Sequence, residues 1–117
     1  MNHYEIWCNL IETHRDLEFV QAVEAYFGLL KREGLIADWR LTRRKLGFGP
    51  PELGEFHVSV LTENLAQLDR AWALAATRRG DVEKLHREVY SRIKDFRAAL
   101  YRDFPDPQRK DESATRP

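Results

Sequence analysis

A chain of 117 residues with 43% apolar and 32% charged residues is sized for one domain with an ordinary core. Its 19 basic residues equal its 19 acidic ones, so the domain as a whole is not built to hold a polyanion. The single cysteine, Cys8, excludes an internal disulfide and points to a reducing compartment.

The N-terminus carries no basic start and no apolar run of signal-peptide length. No stretch approaches a membrane span. The expectation is a cytoplasmic protein without membrane contact.

In chain order, His3–Ile11 alternates apolar Tyr4, Ile6, Cys8 and Leu10 with His3, Glu5, Trp7, Asn9 and Ile11. Period two with aromatic and β-branched content predicts a strand. Asp16 stands where a helix cap is expected. Phe19, Val20, Val23, Tyr26, Phe27 and Leu30 then repeat every three or four residues, and Gly34 closes this helix.

Asp38–Lys45 predicts a second strand, with Trp39 and Leu41 on one face and Arg40, Thr42 and Arg44 on the other. Gly47–Gly54 holds three glycines and two prolines and reads as a loop. Glu55–Leu61 predicts a third strand, with Phe56, Val58 and Val60 opposite His57, Ser59 and Leu61. Asn64 and Gln67 form a capping-box pattern ahead of a second helix. Gly80 stops it. Asp81 then opens a third, long helix with Val82, Leu85, Val89, Ile93, Phe96, Leu100 and Phe104 as its stripe. Residues 1–105 form the domain, and 106–117 read as a disordered tail.

The order β-α-β-β-α-α is a split βαβ arrangement, an α+β ferredoxin-like fold. It predicts a three-stranded, antiparallel or mixed sheet of order 1-3-2 with the helices on one face. In element order, size and two-faced strands, residues 3–104 resemble the ferredoxin-like dimeric α+β barrel superfamily. This superfamily includes small cofactor-free monooxygenases and many uncharacterised bacterial proteins. The likeness is greatest to an uncharacterised bacterial family, a domain of unknown function. It implies a homodimer and no cofactor. The sequence departs from the superfamily pattern in lacking a fourth strand, since a long helix stands in its place.

The second sheet face is where a function is expected. Trp7, Ile11 and Leu61 are too apolar for a wet surface, and Glu5, Arg40 and Arg44 too charged for a dry core. Two subunits stacking these faces would enclose a space lined by Glu5, Trp7, Asn9, Arg40 and His57. There His57 beside Glu5 has the makings of a general base, and Arg40 of an anion holder. The leading expectation is a small organic, anionic ligand bound by Trp7, Asn9, Arg40 and His57, with His57 and Glu5 the catalytic candidates. One alternative is a cofactor-free monooxygenase or lyase. Another is a structural or interaction module, in which Glu5, His57 and Arg40 form a polar ladder.

No metal site is expected. His3, His14, His57 and His86 show no ligand spacing, and there is no Cys/His cluster. Nucleic acid is not expected either. Lys45-Leu46-Gly47-Phe48-Gly49 is broken by Pro50-Pro51, and the sheet lacks paired stacking aromatics. Cys8 belongs to the core face, and burial without a cationic neighbour leaves it inert.

Overall fold

The computed structural model describes residues 1–106 and Arg109. The expected tail 106–117 falls, apart from Asp106 and Arg109, outside the described residues. The chain runs β1 (Asn2–Leu10), a 3-10 turn (Thr13–Arg15), α1 (Asp16–Arg32), β2 (Asp38–Arg43), β3 (Phe56–Thr62), α2 (Leu65–Ala76), α3 (Gly80–Tyr90) and β4 (Ile93–Arg102). The sheet has the order β2-β3-β1-β4, and every neighbouring pair is antiparallel.

The expected order 1-3-2 is therefore present as part of a larger sheet. The three-stranded count is corrected to four. The long helix expected to reach Phe104 is corrected to α3, which ends at Tyr90 and is followed by a strand.

A β-bulge explains why the sequence of β4 reads as helical. Trp7 pairs with Arg97 and Asn9 with Lys94, so one residue of β1 faces two of β4. Asp95 takes the left-handed conformation, φ 57°, to make room. The extra residue shifts the alternation. Ile93, Phe96, Ala98 and Leu100 are thereby assigned to the helix side, with an odd step of three that mimics a helical stripe.

Alternation builds the core. Ile6, Cys8 and Leu10 from β1 and Phe56, Val58 and Val60 from β3 are buried beneath Phe19, Val23, Tyr26, Phe27 and Leu30 of α1. Cys8 lies inside this cluster, where burial pushes its thiol up to about 11 and keeps it protonated. Trp39 and Leu41 of β2, and Val82 and Leu85 of α3, seal its borders.

Asn64 caps α2 as expected: its Oδ1 accepts the backbone N–H of Gln67 at 2.9 Å. Gln67 answers by accepting the Glu63 N–H and donating to the Gly34 carbonyl, which ties α2 to the end of α1. Asp16 is the first residue of α1 rather than its cap. It binds the Leu17 N–H and the Arg43 guanidinium instead. No described helix is long and apolar enough to cross a membrane.

Candidate functional site

The helices cover one side of the sheet and leave the other bare. The bare face carries Glu5, Trp7 and Asn9 from β1, His57, Ser59 and Leu61 from β3, Arg40 and Thr42 from β2, and Arg97, Ala99 and Tyr101 from β4. Two inner strands, β1 and β3, bring the candidate residues together. Glu5 stands opposite Ser59, and Trp7 opposite His57.

From there the side chains close on one another. The Glu5 carboxylate accepts a hydrogen bond from Ser59 Oγ at 3.0 Å and meets His57 Nε2 at 2.9 Å. Trp7 lies flat on the His57 ring, with centroids 4.8 Å apart and planes 3° from parallel. The carboxylate is the more enclosed partner, its side chain 17% exposed against 33% for the imidazole. A histidine held through Nε2 by a carboxylate presents its other nitrogen for proton exchange. The same contacts also satisfy both Glu5 oxygens and stiffen the face.

Two expected members stand apart from this cluster. Asn9 is engaged at both ends: its Oδ1 accepts the Glu55 N–H at 2.9 Å, and its Nδ2 donates to Asp95 at 3.0 Å. It thereby ties the start of β3 to the bulge of β4. Arg40 stands opposite Ser59 in the β2–β3 register, yet it borders an open groove along the β2 edge with Asp16, Leu17 and Glu24. Phe48, in the loop before β3, is fully out in solvent at 82% exposure and covers neither face.

Among the described residues, no group of three His, Cys, Asp or Glu is placed to hold a metal. His3 is held by Asp103 at 2.6 Å, and that contact keeps the Asp103 carboxyl below its usual range.

A second concave surface was not read from the sequence. Between the sheet and the outer helices lies a half-open cavity of about 220 Å³. Its walls include Tyr4 of β1, Tyr26 of α1, Trp72 of α2, His86 and Tyr90 of α3, and Phe96 of β4. The rings brace one another edge to face: Tyr4 on Trp72 at 5.4 Å and Tyr26 on His86 at 5.5 Å. His86 also stacks on Tyr90 at 4.3 Å.

Burial pushes the Tyr26 hydroxyl up to about 12 and that of Tyr90 higher still, while it lowers His86. Both phenols therefore stay protonated, and the imidazole stays neutral near pH 7. The available signal was the residue type. Tyr4 and Tyr26 occupy core positions where Leu or Phe is the simpler choice, and His86 lies beside the α3 stripe.

This architecture, an antiparallel 2-3-1-4 sheet with all helices on one side, defines a ferredoxin-like α+β protein. The chain belongs to a family of unknown function, DUF6614, whose model matches residues 1–115. No curated protein matches it in sequence.

Three solved structures share the fold. A dimeric ferredoxin-like protein of unknown function from Jannaschia sp. CCS1 matches with TM-score 0.65 and 9% identity, over 87% of this chain and 98% of that one. A dimeric protein of unknown function and ferredoxin-like fold from Bacteroides fragilis NCTC 9343 matches at 0.62 and 9%, over 87% and 95%. A protein of Agrobacterium tumefaciens matches at 0.61 and 12%, over 92% and 98%.

Proposed function

We propose that this chain is a homodimeric α+β module whose two copies meet through their bare sheet faces. The observation that carries this reading is the state of that face. Its central polar groups are already bonded to one another: Glu5 to His57 and Ser59. Its apolar groups, Trp7, Leu61, Ala99 and Tyr101, have no helix over them. A face whose centre joins an internally bonded polar cluster to uncovered apolar groups suits burial against its own copy. The Jannaschia and Bacteroides proteins are dimeric, which supports the homodimer.

Sedimentation velocity tests it. The wild-type chain is expected at twice its 13.8 kDa mass. Leu61→Arg places a cation between His3 and Asp38 in the strand register, where the folded chain tolerates it and a stacked partner does not. This variant is expected as a folded monomer with unchanged circular dichroism. A wild-type monomer, or a Leu61→Arg dimer, would overturn the reading.

Within the dimer, Glu5, His57 and Ser59 serve as a structural ladder. His57→Ala is then expected to cost about 1–2 kcal/mol in urea denaturation, because Glu5 loses a partner and Trp7 its stacking surface. The second reading gives the stacked faces a small organic anion, held by Trp7, Asn9, Arg40 and His57, with His57 and Glu5 as acid–base pair. The His57–Glu5 contact at 2.9 Å favours it. It requires His57→Ala to leave stability nearly unchanged.

A further inference from the structure

We infer that the cavity between the sheet and the outer helices binds a small, neutral, planar aromatic molecule bearing a hydrogen-bond acceptor such as a carbonyl. This site is separate from the bare sheet face and does not depend on the dimer reading.

Size sets the first limit. A cavity of roughly 150 Å³ holds one benzene ring. The 220 Å³ here suits one to two fused rings. Shape agrees, since flat rings form the walls and offer stacking and edge contacts to a flat guest.

Charge sets the second limit. Among the described residues, no Lys, Arg, Asp or Glu lines the cavity. Glu83 and Arg78 act on His86 with opposing signs, and Glu83 also acts on Tyr26. An anionic guest would lose its hydration without gaining a cation, so a neutral one is preferred.

Polar groups set the third. The hydroxyls of Tyr4, Tyr26 and Tyr90 and the indole N–H of Trp72 belong to residues lining an otherwise apolar space. No buried side-chain polar atom among the described residues lacks a partner, so polar tips without a protein partner keep some contact with solvent. Neutral phenols and an indole supply donors, and a guest that brings acceptors completes them.

The test uses the full chain and 2-acetylnaphthalene, a neutral two-ring ketone. Saturable shifts of the Trp72 indole N–H signal are expected, with a dissociation constant on the order of 0.1 mM. 2-Naphthoate, the same rings carrying a carboxylate, should bind at least about tenfold more weakly. Tyr26→Phe keeps the ring and removes one donor, and should weaken ketone binding about fivefold.

Ala75→Trp fills the space from α2, and Trp72→Ala removes a half-exposed wall. By ligand-observed NMR each should abolish binding while circular dichroism stays native, and either folded variant suffices. No saturation up to the solubility limit would overturn the inference. So would equal binding of the carboxylate, or undiminished binding by a folded, filled variant.

Discussion

Gly54→Ala is expected to destabilise the domain by about 3 kcal/mol, the upper end of what overpacking normally costs. Gly54 is buried just before β3, where the chain presses against β1. A Cβ there would sit 2.7 Å from the Cys8 Cα and nearer still to its carbonyl carbon and oxygen. All three are backbone atoms of an inner strand, bonded to neighbours on both sides, so none can turn away. The nearby Gly49 provides the control. The nearest atoms to a Cβ there belong to the Arg44 guanidinium, the end of a flexible side chain, which moves aside only by loosening its bonds to the Pro50 and Leu53 carbonyls. Gly49→Ala should therefore cost about 1 kcal/mol, the net worth of a loosened hydrogen bond. Urea denaturation of both variants measures the difference, and equal midpoints would sink the argument.

Phe19→Ala should cost about 3–5 kcal/mol, the range for truncating a fully buried phenylalanine. Its side chain is 1% exposed and meets Phe56 edge to face at 5.2 Å. This contact holds α1 to β3, and the buried strands on either side leave little room for collapse into the gap. Domains of this size have about 5–15 kcal/mol in total, so the variant stands close to unfolding at 37 °C. A loss below about 1.5 kcal/mol, measured by thermal and urea unfolding, would mean that the core relaxes there.

Both predictions depend on contacts that the sequence reveals unevenly. The stripe Phe19, Val23, Tyr26, Phe27 and Leu30 was legible because a helix on a sheet must repeat its apolar residues near period 3.6. The strands β1 and β3 were legible because their faces differ cleanly. Gly54 was legible only as a loop glycine, since what it touches lies far earlier in the chain, in β1. β4 was hidden for a local reason. One extra residue at Asp95 breaks the period of two, and the resulting spacing of Ile93, Phe96 and Leu100 fits a helix equally well.

The candidate site divides in the same manner. Alternation places Glu5, Trp7, His57 and Ser59 on one face, and the antiparallel register brings them into contact. Nothing in the pattern says that Asn9 spends both ends of its amide on Glu55 and Asp95. That use arises from a bulge and a loop end that only the folded chain brings together. The aromatic cavity was invisible because period identifies which residues turn inward, not how closely two layers then meet.

The bulge at Asp95 has a bearing on what the protein avoids. β4 is ten residues long and lies at the margin of the sheet, with Phe96, Ala98 and Leu100 along it. A straight strand of that kind is a template onto which foreign chains add and aggregate. The left-handed turn at Asp95 kinks this margin, and Lys94, Arg97 and Arg102 set charges along it. Strand-by-strand growth into fibres is thereby discouraged, while association through the flat of the sheet remains open.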